Sequence, residues 1–285
     1  MKKYGNISLK KLTSYKLDGI TKQLIYPENI DELKEIIKDI REDNFKYKVI
    51  GGGSNLIFDG NYMGVLIKLD YFNNVEFDGT NVIVGAGYSL QKLAVTMCKM
   101  GLSGLEFATG IPGTIGGACF NNSGAYNSDM GYIVTYVKVL TPSLEIKTLY
   151  NRDLEYHYRT SFFKEHPGYI ILEAKLKLKK GNKQDIIDIV TDRRKRRLES
   201  QPLNYPSAGS VFRNPEGNYA GKLIEDCGFK GKTVGGAKVS EKHANFIVNT
   251  GRAKGSDIIK LITKIQNKVK EEYGIDLILE QEIVE

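Results

Sequence analysis

Tyr47-Lys48-Val49-Ile50-Gly51-Gly52-Gly53-Ser54-Asn55-Leu56-Ile57-Phe58 is the stretch whose reading decides the fold. Its first four residues are strand-like, three glycines then open a turn, and an apolar run resumes at Leu56. Consecutive glycines after a strand let successive N–H groups face one concavity, an anion-binding nest to which Ser54 and Asn55 add polar groups. A diphosphate suits such a nest, and a flexible loop accounts for the same pattern equally well. The dinucleotide fingerprint G-x-G-x-x-G is not met, because Leu56 stands where the third glycine belongs. Gly85-Ala86-Gly87-Tyr88-Ser89-Leu90 fails in the same way, and Asp226 removes the first glycine that a Walker sequence ending in Gly231-Lys232-Thr233 would need.

Downstream lies a second glycine-rich element. Gly104, Gly110, Gly113, Gly116, Gly117 and Gly124 fall between Leu102 and Tyr126. Glycine weakens regular structure, so this density predicts a loop whose backbone approaches something closely. Two such loops suit an extended ligand with more than one polar group, as a dinucleotide has.

Around these loops the periodicities alternate between helix and strand. Ile30, Leu33, Ile37 and Ile40 predict a helix over residues 29–43, with Asn29 and Glu32 as a capping box. Strands are expected over 65–69 and 81–84, then a helix through Leu90, Leu93, Ala94 and Met97 that Gly101 ends. Further strands are expected over 133–140 and 169–179, the second with Leu172, Ala174, Leu176 and Leu178 alternating with charged residues. A charged helix over 183–199 leads to Gln201-Pro202, a plausible boundary. Beyond it are a short helix over 220–227, a strand over 245–249, a long helix over 256–273 and a closing strand over 277–279. The class is α+β, with one domain over 1–180, in lobes of about 1–65 and 66–180, and a second over 181–285.

Composition narrows the function. Cys98, Cys119 and Cys227 are far apart and His157, His166 and His243 are scattered, so neither a disulfide framework nor a metal site is expected. No signal-peptide stretch and no membrane-length apolar run occurs, which predicts a cytoplasmic protein with no membrane partner. A formal charge of +7 favours an anionic partner, either nucleic acid or a phosphorylated small molecule. Arg193-Arg194-Lys195-Arg196-Arg197 spreads over several helix faces and reads as solvated surface.

Several segments together carry a resemblance. Gly51 to Asn55, Gly104-Leu105-Glu106-Phe107-Ala108-Thr109-Gly110-Ile111-Pro112-Gly113, Tyr158-Arg159-Thr160-Ser161-Phe162, Gly209-Ser210-Val211-Phe212-Arg213-Asn214-Pro215 and Leu279-Glu280-Gln281-Glu282 closely resemble the UDP-N-acetylenolpyruvoylglucosamine reductase family, nearly end to end. The resemblance implies an FAD-binding fold of the vanillyl-alcohol-oxidase type in two lobes, with a C-terminal α+β substrate-binding domain. It implies non-covalent FAD, NADPH as co-substrate, and UDP-N-acetylglucosamine enolpyruvate as substrate, with no nucleic-acid partner and a monomeric enzyme.

Residue roles carry over by position. Gly51, Gly52, Gly53, Ser54 and Asn55 hold the FAD diphosphate, while Ile111, Gly113, Thr114, Gly116, Gly117, Gly124 and Ala125 line the rest of the cofactor. Arg159 binds the substrate carboxylate, Ser210 donates a proton, and Glu282 stabilises the intermediate with Arg159. Tyr126, Asn214 and Lys222 are substrate contacts. Asp18 stands where relatives usually carry a glycine. The span from Arg159 to Ser210 is too short for the tyrosine-bearing loop of one branch, which implies the shorter branch. Two rivals stay open at this point: another flavin enzyme of the same fold, and a basic nucleic-acid-binding protein, which would be colourless.

Overall fold

A computed structural model describes residues 1–285, and the chain divides into two compact units. The first comprises Met1–Lys3, Leu24–Gly52 and Val65–Arg196, and the second Tyr4–Gln23, Gly53–Gly64 and Arg197–Glu285. This division does not coincide with a cut at residue 180: most of the charged helix goes with the first unit, and two early segments go with the second.

The first unit is built on an antiparallel sheet ordered Ile146–Tyr150, Val134–Leu140, Ile170–Lys177, Asn81–Gly85, Val75–Asp78. The alternation read in the third of these strands holds, since Leu172, Ala174 and Leu176 are buried. Its helices are α1 (Ile30–Glu42), α2 (Leu90–Lys99), α3 (Ile115–Asn121), α4 (Phe162–Glu165) and α5 (Lys183–Ser200), the last running past the end of the unit. Leu33, Ile36, Ile37 and Ile40 of α1 and Leu90, Leu93, Ala94 and Met97 of α2 join one core with the sheet. Asn29 caps α1 as expected, its Oδ1 accepting from the Glu32 N–H at 2.9 Å. The box is not closed, however, because the Glu32 carboxylate turns to the Glu28 N–H.

The second unit carries α6 (Ala220–Asp226) and α7 (Gly255–Tyr273) over a core that includes Tyr15, Leu17, Ile57 and Phe212. The stripe Ile258, Leu261, Ile262, Ile265 and Val269 of α7 is buried there, and Gly274 ends the helix in the left-handed region. Thr233–Val234, Ala237–Val239 and Ile247–Asn249 form a small antiparallel sheet. Leu56–Phe58 pairs in parallel with Glu282–Val284.

Two expectations need correction. The glycine-rich stretch is not all loop, because Ile115–Asn121 is helical despite Gly116 and Gly117. Thr114 caps it by accepting from the Gly117 N–H, and the Gly116 N–H donates to the Ala86 carbonyl at 2.8 Å. A Cβ at Gly116 would lie 3.0 Å from the Ala86 Cβ, so this glycine serves packing rather than looseness. Second, the closing strand is Glu282–Val284 and not 277–279; Leu279 contributes only a single bridge to Phe212.

Candidate active site

In the first unit the two glycine loops meet backbone to backbone. A Cβ at Gly51 would lie 2.5 Å from Thr114 Oγ1, and one at Gly52 would lie 2.9 Å from the Gly113 Cα. Gly113 has φ +121, and its carbonyl accepts from the Leu90 N–H. Ile111 packs its side chain against the core and donates its N–H to Ala108. The continuation of the first loop belongs to the second unit. Gly53, at φ +61, accepts from the Ser14 N–H, and a Cβ there would fall 2.0 Å from the Leu12 carbonyl oxygen. Asn55 also ties down the C-terminal segment: its amide Nδ2 donates to the Glu280 carbonyl at 3.0 Å and its own carbonyl accepts from the Glu282 N–H at 2.9 Å. It secures the segment that bears Glu282. Ser54 lies between these glycines and Asn55.

Gly124, Ala125, Tyr126 and Arg159 are brought together within the first unit. Gly124 and Ala125 pair with Asp129 and Ser128, enclosing Tyr126 and Asn127, both at φ +56. A two-residue hairpin turn with two positive φ values normally takes Asn or Gly, so a tyrosine there is held against its own preference. Its ring lies 4.6 Å from the Arg193 guanidinium carbon, and its hydroxyl donates to the Arg193 carbonyl. The basic run is thus solvated surface only in part: Arg194, Lys195 and Arg196 are exposed, while Arg193 stacks on Tyr126.

Arg159 is held in the same manner. His157 and Thr160 exchange backbone hydrogen bonds around Tyr158-Arg159, and Arg159 takes φ +56. Its Nη2 donates to the Gly124 carbonyl at 2.7 Å, which ties the guanidinium to the tyrosine hairpin. Two buried side chains fasten the turn to α3. Asn122 donates from Nδ2 to the His157 carbonyl at 2.9 Å while its Oδ1 accepts from Gly131, and the Ser161 hydroxyl donates to the Phe120 carbonyl at 2.6 Å. Ser161 lies within the Tyr158 to Phe162 motif but is given no role there, and Asn122 is not singled out in the sequence.

Ser210 and Glu282 are carried by the second unit, on adjoining segments. The Glu280 N–H donates to the Val211 carbonyl, and the Arg213 N–H donates to the Ile278 carbonyl. Asn245 grips the same run from the other side: its Oδ1 accepts from the Phe212 N–H, its Nδ2 donates to the Phe212 carbonyl, and its carbonyl accepts from the Val211 N–H. Asn214 Oδ1 accepts from the Ala220 N–H at 3.1 Å at the start of α6. Lys222 is exposed and paired with Asp226 one helical turn on. His243 serves the fold: its Nδ1 accepts from the Asn245 N–H, and burial, aided by the Lys230 ammonium, lowers its pKa.

A model of the FAD binding domain matches residues 21–150, and a model of the C-terminal domain of UDP-N-acetylenolpyruvoylglucosamine reductase matches residues 201–284. Fold and site therefore define an FAD-containing oxidoreductase of α+β architecture. A UDP-N-acetylenolpyruvoylglucosamine reductase of Anoxybacillus flavithermus is 46% identical over 274 residues, covering 95% of this chain and 91% of the relative. That of Bacillus subtilis is 42% identical over 283 residues, covering 98% and 93%. The crystal structure of the Thermus caldophilus enzyme matches with a TM-score of 0.85 at 33% identity, over 100% of this chain and 98% of that one. The chain belongs to the UDP-N-acetylenolpyruvoylglucosamine reductase family.

The residues present fit FAD. Gly51 and Gly52 abut Gly113 and Thr114 with no room for a Cβ, and Gly52 is exposed, so main chain rather than side chain would meet a diphosphate there. Cys119 is fully buried, and burial pushes its thiol up to about 12, which disfavours the reactive thiolate. No helix is long and apolar enough to cross a membrane.

Proposed function

We propose that this chain reduces UDP-N-acetylglucosamine enolpyruvate to UDP-N-acetylmuramate, a peptidoglycan precursor, with NADPH as reductant. FAD, which the Gly51-Gly52-Gly53 and Gly113-Thr114 loops would hold, would supply the two-electron hydride chemistry between NADPH and the vinyl ether. The observation that carries the reading is the adjoining placement of the Ser210 and Glu282 segments, in a chain that also holds Arg159 in a tethered, strained turn.

Hydride addition breaks the carbon–carbon π bond and leaves an electron pair on the adjacent carbon, delocalised into the carboxylate as an enolate-like dianion. Arg159 meets that carboxylate with a planar cation whose hydrogen bonds strengthen as charge builds. Its anchorage to Gly124, and that of its turn to Asn122 and Ser161, supports a fixed guanidinium rather than one that must reorganise. Ser210 gives its hydroxyl proton to the carbanionic carbon, forming the second new C–H bond, and recovers a proton from water. A serine is a weak acid, so this requires a strongly basic intermediate and a short transfer. Glu282 stabilises the intermediate with Arg159. Tyr126, Asn214 and Lys222 bind the substrate, and Lys222 would exchange Asp226 for the diphosphate. The enzyme works as a cytoplasmic monomer.

The test is NADPH oxidation by the purified yellow protein with and without the enolpyruvyl sugar nucleotide. Strict dependence on that compound is expected, and Ser210→Ala should slow flavin reoxidation while leaving flavin reduction by NADPH intact. Equal NADPH consumption without the sugar nucleotide would overturn the assignment.

A further inference from the structure

Within the second unit a buried polar chain leads to Ser210. The Tyr15 hydroxyl donates to Gln281 Oε1 at 3.0 Å, and Gln281 Nε2 donates to the Gly209 carbonyl at 3.0 Å. Both side chains are withdrawn from solvent, Tyr15 at 0% exposure and Gln281 at 4%. Tyr15 is itself secured from behind, since Asn249 Nδ2 donates to the Tyr15 carbonyl at 2.9 Å. The amide of Gln281 has one sensible orientation. The Gly209 carbonyl can only accept, so the NH₂ must face it, and the oxygen is left for the hydroxyl of Tyr15. Burial pushes the Tyr15 phenol well above its ordinary pKa, which keeps it a neutral donor.

The Gly209 carbonyl and the Ser210 N–H belong to one rigid, planar peptide group. Fixing that carbonyl fixes the plane from which the Ser210 side chain departs. On its other side, Val211 and Phe212 are held by Asn245 and by the Glu280 N–H. Gly209, at φ +77 with open space around its missing Cβ, has no side chain to fix its conformation. The tether from Gln281 supplies what the glycine lacks.

We infer that Gln281, oriented by Tyr15, is a positioning residue for the Ser210 hydroxyl, setting the geometry of proton delivery without touching the substrate. The inference rests on the reading of Ser210 as proton donor. Tight placement matters here because a misplacement of about 1 Å can slow a reaction about 100-fold.

The experiment is rapid-mixing absorbance of the FAD-loaded protein, following flavin reduction by NADPH and reoxidation by the enolpyruvyl substrate separately, in H₂O and D₂O. Gln281→Met should slow reoxidation by about 10- to 100-fold. Tyr15→Phe, which keeps the ring, should slow it less. Flavin reduction, substrate affinity read from the flavin spectrum, and flavin content should stay at wild-type values in both. The solvent isotope effect on reoxidation should rise in both as proton transfer becomes limiting. Gln281→Glu adds a pH signature. As a neutral acid it can donate to the Gly209 carbonyl and as a carboxylate it cannot, so reoxidation in this variant should fall as pH rises, with no such fall in the wild type. Wild-type reoxidation and isotope effect in Gln281→Met, alongside a slow Ser210→Ala, would overturn the positioning role alone. Wild-type reoxidation in Ser210→Ala would overturn the proton-donor reading and the positioning role with it. A loss of flavin or of melting temperature matching the rate loss would reduce Gln281 to a packing residue.

Discussion

At the scale of single residues, the first-unit part of the site depends on backbone that ordinary side chains avoid. Tyr126 and Arg159 both sit at φ +56, a region that disfavours residues with a Cβ by roughly 1–2 kcal/mol. The surrounding hydrogen bonds to Gly124, His157 and Arg193 hold them there. Little of this was legible in the sequence: Tyr158-Arg159 contains neither glycine nor asparagine, and in Ala125-Tyr126-Asn127 only Asn127 hints at a left-handed turn. The glycine loops were legible, since backbone that must touch backbone leaves its mark as a missing Cβ. Gly52→Ala tests that contact. The new Cβ, 2.9 Å from the Gly113 Cα, must push the loops apart. Overpacking of this kind costs about 1–3 kcal/mol, so weakening of FAD retention by about 5- to 150-fold is expected. Flavin fluorescence of the filtrate after dilution and ultrafiltration reads this directly.

At the scale of elements, amphipathic helices were the most readable part of the chain. The Asn29 cap and the α7 stripe fall where their periodicity puts them. Strands without a two-faced environment were not. Lys2–Ser8 is exposed over most of its length and Ile146–Tyr150 lies at a sheet edge, so no apolar alternation marks either, while Val75–Asp78, at the other edge, alternates over only four residues. Helix α3 was hidden for the opposite reason: tertiary contacts override the poor helix propensity of Gly116-Gly117. The two glycines should therefore respond differently to alanine. Gly117→Ala meets nothing nearer than Thr114 Oγ1 at 3.6 Å, and should raise stability by up to about 1 kcal/mol from helix propensity. Gly116→Ala presses on the Ala86 Cβ at 3.0 Å and its carbonyl at 3.2 Å, and should lower stability by about 1–3 kcal/mol. Thermal melts of the two variants should move in opposite directions from the wild type.

At the scale of the whole molecule, the charge of +7 suits a chain whose proposed co-substrates are anionic small molecules. Both co-substrates carry phosphates, and a net field attracts them before any contact forms. Screening lengths fall from about 10 Å at 0.1 M salt to about 3 Å at 1 M. We expect kcat/KM for NADPH and for the sugar nucleotide to decline with added potassium chloride while kcat changes little. Initial rates over a salt series would reveal it, and a flat series would remove the steering role.

The second unit is assembled from pieces far apart along the chain: Asn55 binds Glu280 across 225 residues, and Tyr15 reaches Gln281 across 266. At a translation pace of about 5–20 residues per second, the apolar run Leu56-Ile57-Phe58 leaves the ribosome roughly 10–45 s before its parallel partner Glu282–Val284 exists. Throughout that interval the apolar edge lacks its pairing partner, a state open to pairing with other chains. Newly made polypeptide is therefore most vulnerable to aggregation before release, and stop codons placed a few triplets early should yield inclusion bodies rather than a smaller working enzyme.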